Sequence, residues 1–252
     1  MRSRYEKSSV PRLAAGAVRR AGLVAVLLLG GCAGSPGLTA YQQGDYAGAL
    51  REFQVEGDPA GDFAVGVMAY KGEGVARDPG AAADWFRRAA GQGHAAARYN
   101  LGLLYLRGEG VEKDHREAAR WFQLAARQGY AKAQLNLGLM CAQGDGVAKD
   151  MREAARWFQL AAGQGYIKAQ IFLGGMYARG EGVAKDRREA ARWFRMAAVA
   201  GNAEAQVYLG VMYARGDGVP KDRDEAVSWL RKAAAQGSSR AQEYLERLGV
   251  KS

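Results

Sequence analysis

Residues 94–129 read HAAARYNLGLLYLRGEGVEKDHREAARWFQLAARQG, and the same pattern returns above and below this stretch at one fixed interval. Tryptophan marks the interval: Trp85, Trp121, Trp157, Trp193 and Trp229 are each 36 residues from the next. Around each one the unit repeats Ala97, Leu101-Gly102, Tyr105, Gly108-Glu109-Gly110-Val111, Asp114, Ala118, Trp121-Phe122, Ala125-Ala126 and Gly129 with few departures. A period of this length describes an array that grows by stacking rather than around one central core. The 252 residues therefore do not count domains.

Each unit is expected to be two helices. Ala97, Leu101, Leu104 and Tyr105 fall at helical spacing and give the first helix, A, an apolar stripe. Gly108 and Gly110 end it and turn the chain, with Val111 tucked back as an apolar plug. Asp114 then caps the second helix, B. Asp114 with Glu117, Asp150 with Glu153, Asp186 with Glu189 and Asp222 with Glu225 are spaced as capping boxes, while Asp78 is followed by Pro79 at the favoured first helical position. Acidic pairs repeated in four units read as caps rather than as catalytic carboxylates. Gly66, Gly102, Gly138, Gly174 and Gly210 lie inside helix A, where glycine costs about 1 kcal/mol relative to alanine. Close approach to the alanines of helix B, such as Ala118, Ala125 and Ala126, would offset that cost. The tryptophans, each able to bury roughly 150 to 250 Å², are expected to anchor the stack.

The chain divides on this pattern into five units, 58–93, 94–129, 130–165, 166–201 and 202–237. Before them, 39–57 reads as a degraded N-terminal cap, because Asp45, Ala49 and Phe53 keep the offsets of Asp114, Ala118 and Phe122. After them, 238–252 restarts helix A, with Ala241 and Leu245 in frame. Glu246 stands in the glycine place, and Glu243, Arg247 and Lys251 give a closing helix its polar face.

The first 31 residues hold Arg2, Arg4, Lys7, Arg12, Arg19 and Arg20 against Glu6, half of the formal charge of +10. The remaining +5 is diffuse and argues against a nucleic-acid partner. An apolar run, Ala21 to Leu29, follows the basic segment, then Gly30-Gly31-Cys32. Nine residues rise only about 14 Å as a helix, roughly half a bilayer core, so 1–31 reads as an export signal rather than a span. Leu29-Gly30-Gly31-Cys32 resembles the lipobox of bacterial lipoproteins, which implies lipid attachment at Cys32, with 32–38 as a tether. An ordinary cleaved signal is the alternative. Ala33 after the cysteine resembles lipoproteins sorted to the outer membrane of a two-membrane bacterium, facing the periplasm. With Cys32 so assigned, Cys141 has no internal disulfide partner. It occupies the place of Tyr105, Tyr177 and Tyr213 and reads as a buried, inert thiol.

The pattern as a whole resembles the Sel1-like repeat family, related to tetratricopeptide repeats but with a longer period and the Gly-x-Gly-Val loop. The resemblance covers about 58–245 and implies an all-α, right-handed solenoid of stacked helix-turn-helix repeats that acts as a non-enzymatic adaptor or scaffold for other proteins. Some secreted members carry paired cysteines and are linked to β-lactam chemistry. This chain lacks those pairs, and its first unit departs further with Val65 for leucine and Ala69 for tyrosine.

If the repeated positions build the core, ligands should meet the positions that vary. On helix A, Ala96, Asn100, Leu103 and Arg107 share one side. Across units that side carries Asn100, Asn136, Phe172 and Tyr208 in one row and Arg107, Arg179 and Arg215 in another, an expected peptide groove on the concave face. A merely solvated face is the competing reading. Helix B carries Arg116 with Arg120, Arg152 with Arg156 and Arg188 with Arg192, which read as a solvated outer face. His94 and His115, the only histidines, do not recur, so no metal set, catalytic triad or cofactor site can be assembled. The sequence thus points to a lipid-anchored envelope scaffold for protein or peptide partners, the alternative being a peptidoglycan- or β-lactam-related hydrolase or glycan binder.

Overall fold

The computed structural model describes residues 34–250. The signal segment, Cys32 and Lys251 lie outside them. Among the described residues there are thirteen helices and no strand, an all-α solenoid. Packing divides the chain into a first unit that ends at His94 and a second that begins at Ala95.

The first unit holds α1 (Pro36–Gln43), α2 (Tyr46–Glu56), α3 (Pro59–Lys71) and α4 (Pro79–Gly91). The tether expected at 32–38 is shorter than its sequence suggests. Ser35 caps α1 by accepting the Leu38 N–H, Pro36 opens the helix, and Leu38 is 2% exposed. A proline beside a serine reads as linker composition, yet it is also the favoured opening of a helix. The N-terminal cap is therefore a complete helix pair, with Ala49 and Phe53 fully buried.

The second unit holds α5 (Ala95–Arg107), α6 (His115–Arg127), α7 (Ala131–Gln143), α8 (Met151–Gly163), α9 (Ile167–Arg179), α10 (Arg187–Val199), α11 (Ala203–Arg215), α12 (Arg223–Ala235) and α13 (Ser239–Arg247). Each packs on the next along the chain. A second glycine in three of the loops allows successive repeats to approach. A Cβ on Gly146, Gly182 or Gly218 would run into the carbonyl of His115, Met151 or Arg187, the first residue of the preceding helix B.

Three expectations change in detail. The glycine inside helix A meets a side chain of helix B as well as its alanine backbone: a Cβ on Gly138 would lie 2.6 Å from the Phe158 ring, one on Gly102 2.8 Å from that of Phe122 and 3.2 Å from the Ala118 carbonyl oxygen, and one on Gly210 2.8 Å from Leu230 and 3.1 Å from the Ala226 carbonyl oxygen. Phe122, Phe158, Phe194 and Leu230 are buried, whereas the tryptophans before them are only half-buried, so the residue after each tryptophan anchors its layer. The indole N–H groups of Trp121 and Trp193 have no hydrogen-bond partner among the described residues, while that of Trp229 donates to Glu225 at 2.9 Å. Finally, the capping boxes are half made. Asp114 accepts from the Arg116 and Glu117 N–H groups, but its own N–H donates to the Tyr105 carbonyl at 3.0 Å, and Glu117 pairs with Arg120 instead. That backbone bond ties helix B to the helix A before it, and it recurs from Asp150 to Cys141, Asp186 to Tyr177 and Asp222 to Tyr213.

Buried amides join successive repeats. The Gln134, Gln170 and Gln206 side chains donate to the Ala126, Ala162 and Ala198 carbonyls near the end of the preceding helix B. Gln164 and Gln236 in turn donate to Gln134 and Gln206, at 2.8 and 2.9 Å.

Candidate functional site

Four of the seven predicted groove residues converge. Phe172 and Arg179 of α9 and Tyr208 and Arg215 of α11 line one cleft of about 370 Å³, together with Arg240 and Tyr244 of α13. Its aromatic wall grows out of the core. Phe172 stacks on Phe158 (5.3 Å between centroids) and Tyr208 on Phe194 (4.7 Å), so each varied ring covers the phenylalanine that anchors a layer. Phe172 remains 42% exposed.

The cations of the cleft differ in their commitments. Arg179 donates to Glu181 at 2.8 Å, a bond that holds the Glu181 carboxyl below its ordinary range. Arg240 lies over the Tyr208 ring at 5.2 Å, and hydrogen bonding to Tyr208 keeps its guanidinium more firmly protonated than usual. Arg215 has no side-chain ion pair or hydrogen bond among the described residues, and it is exposed at the cleft. Such a guanidinium beside two rings can take a carboxylate while an apolar group lies on Phe172 and Tyr208.

Asn100, Arg107 and Asn136 do not line this cleft. The Asn100 amide donates back to the Ala96 carbonyl of its own helix at 2.8 Å. Asn136 lies beside the hydroxyl of Tyr99, whose ring is 5.2 Å from that of Tyr130. Burial pushes the Tyr130 phenol up to about 12. Arg107 lies 3.9 Å from Glu109. The Asn100 amide is therefore spent on an internal bond, for which a half-buried amide on a helix is well placed.

Arg240 and Tyr244 are the residues that sequence reasoning missed. The signal was present: the 36-residue step from Phe172 to Tyr208 lands next on Tyr244. The closing helix restarts helix A as expected, with Ala241 and Leu245 buried, and the residues expected on its polar face, Glu243, Glu246 and Arg247, are exposed.

Elsewhere the polar groups are architectural. Cys141 is 6% exposed and burial pushes its thiol up. His94 stacks on Phe63 at 4.6 Å, and burial lowers its imidazole below the usual value. His115 pairs with Asp145 of the next repeat. Arg120, Arg156 and Arg192 pair with Glu117, Glu153 and Glu189 on their own helices and are exposed. Among the described residues no cluster of three or more His, Cys, Asp or Glu could hold a metal, and no helix is long and apolar enough to cross a membrane.

Two solved structures resemble the chain along most of its length. A Sel1 repeat protein from Oxalobacter formigenes is 34% identical, with a TM-score of 0.78, over 82% of this chain and 87% of that one. The c5321 protein, described as a protective antigen of uropathogenic Escherichia coli with an SLR fold, is 33% identical, with a TM-score of 0.81. That match covers 91% of this chain, which spans only 52% of the E. coli protein. No match was found among curated proteins. The family model of the Sel1 repeat matches residues 59–94, 95–130, 131–166, 167–202 and 203–238, one residue later in each case than the division made above. With five successive matches, the chain belongs to the Sel1 repeat family, whose members generally serve as scaffolds for protein interaction.

Proposed function

We propose that this chain is a lipid-anchored scaffold of the cell envelope that holds an extended peptide of a partner protein in the cleft between α9, α11 and α13. One observation carries the reading: Phe172, Arg179, Tyr208 and Arg215, singled out because they vary where the repeat does not, converge on one cleft with Arg240 and Tyr244. Arg215 is the cation with no internal commitment there, so it is the residue assigned to a carboxylate of the ligand, with the rings taking the neighbouring side chain. Anchoring is assigned to Cys32 on the strength of Leu29-Gly30-Gly31-Cys32, at the periplasmic face of an outer membrane if the source has two membranes. No catalytic role is assigned.

Replacing Arg179 and Arg215 together, and comparing the proteins recovered after cross-linking in cells at fixed salt, tests the cleft. Loss of a partner that wild type retains is expected, and unchanged recovery overturns the assignment. Replacing Arg107 as well should add no further loss. Independently, Cys32→Ser should move the protein from the membrane to the soluble fraction after cell lysis.

A further inference from the structure

Two of the five repeats hold a small residue where the other three hold a tyrosine: Ala69 and Cys141, against Tyr105, Tyr177 and Tyr213. In the fifth repeat the work of that tyrosine is visible. Tyr213 leaves α11 and packs against the cluster that contains Leu209. Its hydroxyl then accepts a hydrogen bond from the guanidinium of Arg195, on the preceding helix α10. The ring thus closes the crease between one repeat and the next.

In the third repeat Cys141 is too short to do this, and the corresponding crease is an open cleft of about 410 Å³. Its walls include Leu137, Cys141, Val147, Asp150 and Trp157, with Gln123 of α6 opposite. Gln123 follows the capping Asp114 by nine residues, as Arg195 follows Asp186, so an amide occupies the place from which Arg195 meets the tyrosine hydroxyl. The first unit provides an independent instance. Beside Ala69 a cleft of about 290 Å³ is walled by Val65, Val75, Asp78, Trp85 and Gln54, and Gln54 again follows its capping aspartate, Asp45, by nine residues. The same crease is therefore open in two repeats that lack the ring, with a hydrogen-bonding amide retained in both.

We propose that the Cys141 cleft is a docking site for a tyrosine side chain carried by a partner polypeptide, which supplies from outside the ring that Tyr213 supplies from within; the Ala69 cleft is its counterpart. Trp157, Leu137 and Val147 offer flat and aliphatic walls to a ring, and Gln123 can either donate to or accept from its hydroxyl. The lips carry opposite charge, Arg116 and Arg120 on α6 against Asp150 and Glu153 of the next repeat. Arg120 and Glu153 are paired along their own helices and Asp150 caps α8, but Arg116 has no side-chain partner among the described residues and can donate to a carbonyl of a polypeptide flanking the tyrosine, which a free phenol lacks. The buried thiol serves as part of the wall, not as a nucleophile.

The full-length protein titrated with p-cresol, and with an end-blocked Gly-Gly-Tyr-Gly-Gly peptide, tests this by ligand-observed NMR. Saturable binding of p-cresol is expected, with a dissociation constant on the order of a millimolar for so small a probe. The tyrosine peptide should bind several-fold more tightly, and a leucine peptide of the same length weakly or not at all. Cys141→Tyr installs the residue that other repeats already carry. It should remove the site at α7, and Ala69→Tyr/Cys141→Tyr should abolish binding, with circular dichroism reporting the fold of both. An arm without substitution looks for intermolecular NOEs between p-cresol and the Val147 methyls. Absence of those NOEs, binding that survives the folded double variant, or equal binding of the leucine peptide overturns the proposal. So does p-cresol binding with exclusion of the tyrosine peptide, which would make the cleft a site for free phenols.

Discussion

The joint between repeats at Gln134 and the joint at Gln170 are assembled from the same parts and differ by one side chain. Gln134 donates to the Ala126 carbonyl and accepts from Gln164, so both ends of its buried amide are engaged. Gln170 donates equally to the Ala162 carbonyl, but Ala200 stands where the other repeats of this unit place a glutamine, and the Gln170 Oε1 has no partner. A buried carbonyl oxygen without a donor forgoes its hydration with nothing in return. Two joints that look identical as apolar packing therefore differ in polar completeness. Repeat identity in the core does not guarantee equal strength at each interface.

The largest effects should leave this difference untouched. Phe158→Ala and Phe194→Ala each remove the ring against which a helix A glycine packs, and each is expected to cost about 3 to 5 kcal/mol. Urea denaturation should find the two costs equal within error. A clear inequality would mean that the apolar layers, not the amides, distinguish the repeats. The next largest effects should expose the difference. Gln134→Ala is expected to cost about 2 kcal/mol, since it strips both a donor from Ala126 and an acceptor from Gln164, whereas Gln170→Ala loses a single bond and should cost about 1 kcal/mol. Equal losses in the same measurement would break the comparison.

These side chains also show what was legible in the sequence and what was not. The helix pairs, the capping aspartates and the loop glycines are each decided by local backbone chemistry and were readable from 94–129 alone, while the period was readable from the recurrence of that stretch. Against the helix A glycine the alanine backbone was legible, but the ring beside it was not, because that depends on which of two adjacent aromatics, Trp121 or Phe122, turns inward. Helical spacing places both near the stripe, and only packing decides. The joints were invisible for a different reason: Gln134 and Gln164 are 30 residues apart, and a glutamine on a helix reads as surface. At the candidate site, the row Phe172 and Tyr208 was legible as variation within a repeat. Its extension to Tyr244 lies one step further along the same row, on the closing helix that restarts helix A beyond the last full unit.

A repair should be smaller than either break. Ala200→Gln places an amide at the end of α10, where Gln164 ends α8, and its N–H can reach the Gln170 Oε1. A gain of about 1 kcal/mol is expected, less a few tenths for the lower helix propensity of glutamine. Ala200→Leu, which brings a side chain but no donor, should yield no such gain. In Gln170→Ala the benefit of Ala200→Gln should vanish, so the double-variant cycle reads the bond directly.

The smallest effect is expected where the same position is occupied by a charge. In the first unit it is held by Asp62, fully buried, with Arg88 at 3.1 Å and the Gln92 amide donating at 3.1 Å. Burial raises the Asp62 carboxyl above its ordinary value of 3.8, and the neighbouring Arg88 cation only partly opposes this. The folded state therefore holds this proton more tightly than the unfolded one, and the ionised carboxylate costs stability at neutral pH. That cost is relieved as pH falls through the raised value toward 3.8. Asp62→Asn retains an acceptor for Gln92 without the charge. Relative to wild type it should be at least as stable at pH 7, by no more than about 1 kcal/mol given the loss of the Arg88 pair. Its advantage should shrink steadily in acid, because below the ordinary carboxylate range wild type is uncharged at this site as well. An advantage that grew on acidification would mean that Arg88 outweighs burial, and that the ionic joint is the stronger form of the amide one.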